Sequence, residues 1–340
     1  MPEKSVEVLI TLPFSDETVA VIRAISPRLK VIIENAQQPD EIADEIWKKV
    51  DILYTNWVMP APELVPNLKW IQFHWAGIDH ILDAQVLKKP NLMITTASGA
   101  SASQVAEYVV GMLLALGHHH PDLFSNQKKM EWPRDRWERF SPIELRGSTV
   151  GIVGYGSIGR QVARLLQPFG AVVLAAKNNA MNPEDLGFSA EGMGDAQGDF
   201  VHRLYPAQAL RTMFKECDFV VVCVPKTPQT KLLIGEDEIA ALPPSAFLVD
   251  VSRGGVVDHN ALLAALKDRK IAGAALDVFP EEPIPTDSPL WKIPNGILTP
   301  HISGITRHYE ERAVEVFITN LDRFVNNQSL LNLVDIQRGY

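Results

Sequence analysis

Residues 148–159 read Ser-Thr-Val-Gly-Ile-Val-Gly-Tyr-Gly-Ser-Ile-Gly, and this stretch decides the fold. Its β-branched first half predicts a buried strand, and the G-x-G-x-x-G pattern that ends it predicts a tight turn. A helix-forming segment from Arg160 to Gln167 follows at once. Strand, glycine turn and helix in this order are typical of the opening unit of a doubly wound parallel sheet.

The glycine turn is a candidate dinucleotide site. The hexamer alone is weak evidence, but a strand before it and a helix after it make it specific. The first glycine permits the turn, the second lets the backbone approach a pyrophosphate, and the helix N-terminus offers N–H groups to the phosphates. A glycine turn without a ligand is the alternative. The predicted cofactor residues here are Gly154, Tyr155, Gly156, Ser157, Ile158 and Gly159.

Strand-like runs recur on both sides of this turn. Those before residue 100 are Val6–Leu12, Leu29–Glu34, Asp51–Trp57, Leu68–His74 and Leu92–Thr96. Those after the turn are Ala171–Ala176, Phe219–Val224, Phe247–Val251, Ile271–Leu276 and Gly296–Thr299. Their alternation with helix-like segments predicts an α/β protein built from βα units around parallel sheets.

The chain of 340 residues is long enough for two domains. A long apolar helix from Ser101 to His118 is expected to lead into the second domain, and a helical pattern from Ile305 to Val325 is expected to return to the first. The sequence therefore predicts a Rossmann domain over residues 102–301, with a doubly wound sheet. Residues 1–101 and 302–340 are predicted to form a smaller, flavodoxin-like α/β substrate domain. A Gly-rich insertion at residues 187–198 is interpreted as a surface loop.

Composition excludes several classes of protein. A formal net charge of −9 would repel a nucleic-acid backbone, so we expect no nucleic-acid partner. Two cysteines do not form a secreted disulfide framework, and the N-terminal residues lack the pattern of a signal peptide. No apolar run approaches the roughly 20 residues that a membrane helix needs. A cytoplasmic protein is the expectation.

The end of the predicted second strand favours NADP(H) over NAD(H). An NAD site places a carboxylate about 20 residues after the glycine turn, where it binds the ribose 2′-OH. Here the strand ends in Lys177, Asn178 and Asn179. Lys177 can pair with a 2′-phosphate and Asn178 can donate a hydrogen bond to it. A solvated lysine at a strand end is the alternative interpretation.

Three side chains at later strand ends suit the reduction of a 2-keto acid. Arg253 supplies a planar cation that binds a carboxylate or polarises a carbonyl. His301 titrates near neutral pH and can donate a proton, and a neighbouring carboxylate such as Glu282 favours the imidazolium form. Ligands of open α/β sheets lie at the carboxyl ends of the strands, so these residues are predicted to converge. Each taken singly could instead be structural.

The ordered motifs resemble those of the D-isomer-specific 2-hydroxyacid dehydrogenase family, which includes glyoxylate/hydroxypyruvate reductases. The resemblance covers nearly the whole chain. It rests on the glycine turn, the three catalytic segments and the stretches His74–Asp79, Val105–Glu107, Glu144–Gly147 and Val224–Thr230. The resemblance implies a two-domain NAD(P)-dependent oxidoreductase that closes over a small 2-keto or 2-hydroxy acid, with Arg253, Glu282 and His301 as its catalytic residues.

The resemblance also implies further site residues. Trp75, Ala76 and Gly77 would bind the substrate carboxylate, and Asp277 would lie near the nicotinamide carboxamide. The other implied cofactor contacts are Val224, Pro225, Thr230, Val251 and Ser252. Residues 118–146, which are rich in Trp and Arg, would help to build a homodimer.

Other functions remain open at this point. Relatives with this fold can act as cofactor-sensing corepressors or scaffolds, and the same scaffold could oxidise another small anion such as phosphite. The run His118-His119-His120 resembles a metal cluster, but consecutive side chains on a helix diverge by about 100° each. We therefore predict no metal site. The sequence does not identify the keto acid.

Overall fold

The computed structural model describes residues 5–293 and 295–339 and divides them into two units. The first unit contains the described residues up to Ser101 and those from Thr306 onward, and the second runs from Ala102 to Ile305. Within the described residues the strands are β1 (Val6–Ile10), β2 (Leu29–Ile33), β3 (Ile52–Thr55), β4 (Trp70–Phe73), β5 (Met93–Thr95), β6 (Thr149–Val153), β7 (Val172–Ala176), β8 (Arg203–Tyr205), β9 (Phe219–Val222), β10 (Phe247–Asp250), β11 (Gly273–Leu276) and β12 (Gly296–Leu298).

The helices follow the same alternation along the chain. The α-helices are α1 (Asp16–Ala24), α2 (Asp44–Trp47), α3 (Ala102–Gly117), α4 (His120–Lys129), α5 (Arg136–Arg139), α6 (Ser157–Leu166), α7 (Leu210–Phe214), α8 (Glu236–Ala240), α9 (His259–Lys267) and α10 (Tyr309–Val325). Several short 3-10 helices lie in the connecting segments.

Both sheets are parallel throughout. The first unit has the strand order β2-β1-β3-β4-β5, which is the flavodoxin-like order. The second has the order β12-β11-β10-β9-β6-β7-β8. From β8 inward this is the Rossmann order, and the direction of winding reverses between β6 and β9. The predicted fold class is confirmed.

Strand β8 lies in a region for which the sequence analysis predicted no strand. It pairs with β7 in parallel and spans only three residues, Arg203–Tyr205. A three-residue strand carries too little alternation to be distinguished from loop by its pattern.

Within the described residues, no helix has the length and apolar character needed to cross a membrane.

The core of the first unit is aromatic where α10 meets the sheet. The rings of Tyr54 and Phe317 lie 4.6 Å apart, and those of Trp70 and Phe317 lie 5.5 Å apart. All three side chains are buried, so this contact seats α10 on the sheet.

A buried hydrogen bond continues this aromatic core to His74, which directly follows β4. The Tyr54 hydroxyl lies 2.7 Å from Nδ1 of His74. Burial raises the pKa of Tyr54, so the phenol keeps its proton and donates a hydrogen bond to Nδ1. Burial also lowers the pKa of His74 from 6.5 to about 4, and the imidazole is neutral in the folded protein.

His74→Asn should reduce the loss of stability on acidification. The folded pKa of His74 is about 4, below its ordinary value of 6.5, so between these values the unfolded chain binds a proton that the folded chain excludes. The free energy of unfolding therefore falls as the pH drops below 6.5 and continues to fall until about 4. Between pH 7 and pH 5 this amounts to about 2 kcal/mol. Urea unfolding of both proteins at the two pH values measures it, and equal losses would contradict the prediction.

Candidate active site

The glycine turn connects β6 to α6 and leaves its backbone open. Gly154 has a φ of 106°, a conformation that favours glycine. A Cβ on Gly159 would lie 2.2 Å from the carbonyl oxygen of Gly154, so a larger residue would not fit there. Gly156 begins α6 without a side-chain cap, and a Cβ added to it would meet nothing within 4 Å. The turn thus presents N–H groups and space that fit a pyrophosphate.

Tyr155 and Arg160 tie the Gly-rich insertion to this turn. The Tyr155 hydroxyl donates to Oδ2 of Asp195 at 2.5 Å, and burial together with Asp195 raises the pKa of Tyr155. The buried Arg160 donates to the carbonyl oxygens of Asp195 and Pro183. Its Nε lies 3.1 Å from the carboxylate of Asp185. The sequence analysis missed the hydrogen bonds of Arg160 because they go to backbone carbonyls, which no side-chain motif reveals.

Lys177 and Asn178 follow β7 at its carboxyl end. The Lys177 ammonium donates to the carbonyl oxygens of Asn182 at 2.9 Å and Glu184 at 3.3 Å. Burial lowers the pKa of Lys177, and the nearby Arg160 lowers it further. Asn178 is exposed. A cation is therefore held beside the strand end at which NAD sites carry a carboxylate.

The other predicted cofactor residues follow β9 and β10. A side-chain methyl group of Val224 would lie 2.9 Å from a Cβ on the first glycine of the turn, so Val224 covers that glycine. The Thr230 hydroxyl donates to the carbonyl oxygen of Pro225 at 2.7 Å and closes the intervening segment. Val251 and Ser252 are buried directly after β10.

Arg253 lies in the turn that follows β10. It donates to the carbonyl oxygen of Ser252 at 2.9 Å and is half-buried. A Cβ on the next residue, Gly254, would lie 1.8 Å from the carbonyl oxygen of Phe279. The Arg253 turn is therefore in direct backbone contact with the segment that carries Glu282.

The structure brings Glu282 and His301 together. Oε2 of Glu282 lies 2.8 Å from Nδ1 of His301. The other carboxylate oxygen accepts the N–H of Phe279 at 2.8 Å, which fixes the Glu282 side chain from both sides. The side chains of His301 and Glu282 are 42% and 37% exposed. Because Nδ1 contacts the carboxylate, Nε2 is the ring nitrogen that remains for other partners.

Asp277 anchors the turn that carries His301. It is fully buried after β11. Oδ1 accepts the Thr299 hydroxyl at 2.6 Å and the N–H of Ile302 at 2.9 Å, and Oδ2 accepts the N–H of Ser303 at 2.9 Å. The contact with nicotinamide that the resemblance implies for this residue stays a prediction. The hydrogen bonds of its carboxylate show in addition a structural role that the sequence did not signal.

Two side chains of α3 hold the same turn. The hydroxyls of Tyr108 and Thr299 lie 2.7 Å apart. Because Thr299 donates to Asp277, Tyr108 is the donor in this pair, and burial raises its pKa to about 12. Gln104 donates to the carbonyl oxygen of Gly304 at 2.9 Å. The sequence analysis identified the helix but neither of these contacts.

The predicted substrate segment lies in the first unit, directly after β4. The Trp75 ring packs against Tyr309 with centroids 4.7 Å apart, and its carbonyl oxygen accepts the N–H of Ala97 at 3.2 Å. Trp75 is exposed, and Ala76 and Gly77 are partly exposed. Their binding of a substrate carboxylate stays a prediction.

The histidine run spans the junction between two helices. Helix α3 ends at Gly117, α4 begins at His120, and Nε2 of His119 lies 3.1 Å from the carbonyl oxygen of Ser141. In the described part of the chain, no group of three or more His, Cys, Asp or Glu residues has a geometry that could hold a metal ion.

Comparison with known proteins places this geometry in a family. Residues 110–303 match the family model described as D-isomer specific 2-hydroxyacid dehydrogenase, NAD binding domain. A glyoxylate reductase of Thermococcus litoralis is 32% identical over 314 residues, which cover 91% of this chain and 88% of the relative. A D-3-phosphoglycerate dehydrogenase of Methanocaldococcus jannaschii is 31% identical over 97% of this chain, but the chain spans only 60% of that relative's length.

A solved structure extends the similarity to the whole fold. The D-isomer specific 2-hydroxyacid dehydrogenase of Xanthobacter autotrophicus, determined in complex with NADPH and MES, has a TM-score of 0.78 and 27% identity. The match covers 99% of this chain and 100% of that chain. Since the family model and the relatives agree over most of the sequence, the chain belongs to the D-isomer specific 2-hydroxyacid dehydrogenase family.

Proposed function

We propose that this chain reduces a small 2-keto acid to the D-2-hydroxy acid with NAD(P)H and catalyses the reverse oxidation. The observation that carries the proposal is the 2.8 Å contact between His301 and Glu282, located at the carboxyl edge of the sheet that also holds the glycine turn. The glyoxylate reductase and the D-3-phosphoglycerate dehydrogenase among its relatives support a substrate of this class.

His301 and Arg253 have different roles toward the substrate. The nicotinamide supplies a hydride to the keto carbon when the cofactor is bound. His301 donates a proton from Nε2 to the keto oxygen, and Glu282 accepts the Nδ1–H bond that aims the ring. Arg253 binds and polarises the substrate, because a guanidinium is a planar cation whose donors match a carboxylate. In the oxidation direction, His301 takes the hydroxyl proton back.

We further propose a preference for NADP(H). Lys177 lies at the end of β7, and its ammonium is held by the carbonyl oxygens of Asn182 and Glu184. In sheets of this order, this strand end faces the ribose. A 2′-phosphate would gain a charge-assisted contact there, whereas a 2′-OH would gain much less. The NADPH complex of the Xanthobacter autotrophicus relative supports the proposal.

We also propose that residues 118–146 help to form a homodimer. Trp132 and Trp137 are 83% and 79% exposed. The Arg136 guanidinium lies 5.9 Å and 4.5 Å from their ring centroids. Arg and Trp are enriched in protein interfaces, and large exposed aromatic groups of this kind are typical of surfaces that pair.

His301→Ala should lower kcat by about 10² to 10⁴, the usual contribution of a general acid. NADPH affinity should change little, because His301 follows β12 whereas the glycine turn follows β6. The matched control is His308→Ala, which removes an exposed histidine that also pairs with a carboxylate, Glu311, at 3.1 Å. Steady-state NADPH oxidation with glyoxylate, hydroxypyruvate and pyruvate measures the effect. Turnover of the His301 variant close to that of the wild type would refute the assignment.

Lys177→Asp should reverse the cofactor preference. The wild-type protein is expected to give a higher kcat/KM with NADPH than with NADH. The variant should shift this ratio at least tenfold toward NADH, since a carboxylate repels a 2′-phosphate and binds a 2′-OH. Lys267→Asp, at an exposed position of α9, makes the same change in net charge and should leave the ratio unchanged. A wild-type preference for NADH would reject the proposal.

Trp137→Ser should convert the proposed dimer to monomer at micromolar protein concentration. The substitution removes the aromatic partner of Arg136 from residues 118–146. Trp291→Ser is the matched control, because Trp291 is also exposed but lies outside this segment. Sedimentation velocity compares the three proteins, and a wild-type protein that sediments as a monomer would count against the proposed interface.

A further inference from the structure

Asp250 and His259 form a buried pair beneath the two catalytic segments. Asp250 is the last residue of β10, and His259 is the first residue of α9. Oδ2 of Asp250 lies 3.9 Å from Nε2 of His259, and the two side chains are 0% and 6% exposed. Among the described residues, neither this oxygen nor either ring nitrogen has a hydrogen-bond partner. A buried carboxylate oxygen without a partner is costly, and Nε2 of His259 is the polar group that lies within ion-pair distance of it.

Asp250 holds the Arg253 turn. Its Oδ1 accepts the backbone N–H of Ser252 at 3.0 Å and the Ser252 hydroxyl at 2.5 Å. The carbonyl oxygen of Ser252 in turn accepts the Arg253 guanidinium at 2.9 Å. The position of the Asp250 carboxylate therefore determines where the backbone before Arg253 lies.

His259 supports the other segment. Its ring packs edge-on against Phe279, with centroids 5.9 Å apart and planes at 72°. The N–H of Phe279 donates to Glu282, whose other oxygen contacts His301. A shift of the His259 ring would therefore move the backbone group that orients the carboxylate.

We propose that Asp250 and His259 are positioning residues that act as one buried brace and hold the Arg253 turn and the Phe279–Glu282 segment in register. The inference rests on the proposed function for its catalytic consequence. The two segments already touch where Gly254 meets the carbonyl of Phe279, so they leave little room for independent movement. The pair fixes both segments. Asp250 holds the first through hydrogen bonds from Ser252, and His259 holds the second through ring packing against Phe279. Neither residue is part of the catalytic trio, and the family resemblance assigned them no role.

A double-mutant cycle tests the brace. His259→Phe keeps an aromatic ring against Phe279 but leaves the Asp250 carboxylate without its partner. Asp250→Asn keeps an oxygen that accepts from Ser252 but removes the charge. We expect His259→Phe to lower kcat between tenfold and a hundredfold, because small displacements of reacting groups have effects of this size. The dissociation constant for NADPH should stay within about twofold of the wild-type value. The double variant should recover much of the lost kcat.

Hydrogen exchange measured by mass spectrometry gives a readout that does not depend on turnover. In His259→Phe, peptides that contain the amides of Ser252 and Phe279 should exchange faster together, and the double variant should reverse this. Lys267→Ala is the matched control, since it changes an exposed side chain of the same helix and should leave both peptides unchanged. If His259→Phe fails to fold, Asp250→Asn and the double variant still complete the comparison, with the double variant expected to be the less disturbed.

The outcomes separate the brace from the proposed function. Unchanged exchange in either segment, or equal kcat in His259→Phe and the wild type, would overturn the brace. A wild-type protein that turns over no 2-keto acid would overturn the proposed function, and the exchange data would still decide whether the pair holds both segments. Coupled exchange with recovery in the double variant would support the brace in either case.

Discussion

The turn that carries His301 depends on one buried carboxylate, that of Asp277. His301 has a φ of 52°, in the left-handed region that residues other than glycine seldom occupy. The bonds from the N–H groups of Ile302 and Ser303 to Asp277 hold the backbone in this conformation. Hydrogen bonds to a charged acceptor contribute about 1.5–3 kcal/mol each, which is enough to offset such strain. The contact between His301 and Glu282 is therefore a consequence of a residue that takes no part in it.

The order of the second sheet explains why groups distant in the chain meet. Strands β10, β11 and β12 are neighbours and parallel, so their carboxyl ends lie along one edge. Arg253 follows β10, Glu282 lies in the segment after β11, and His301 follows β12. The glycine turn follows β6, beside the reversal of winding at which such sheets bind dinucleotides. The topology thus brings the segments that carry these residues near one another, and local hydrogen bonds set the final positions of their side chains.

The sequence predicted what periodicity and spacing encode. Most strands begin and end within about two residues of the predicted runs, because buried parallel strands are continuous β-branched segments. Strand β8 was missed for its shortness. The pairing of Glu282 with His301 was expected from strand ends, but the anchoring by Asp277 was not, since its partners are backbone N–H groups. Likewise, the sequence near Arg160 does not indicate that its guanidinium binds the carbonyl oxygens of Pro183 and Asp195.

Burial separates the groups that hold the site from those proposed to carry out its chemistry. Asp277 and Asp250 are fully buried, where a low dielectric strengthens each hydrogen bond they accept. His301 and Glu282 are 42% and 37% exposed, as a proton donor must be if it is to reach a substrate. A single residue could not satisfy both demands, because the burial that makes an anchor rigid would also deny it to a ligand. The carboxylates beneath the strand ends therefore leave the imidazole both fixed in orientation and accessible.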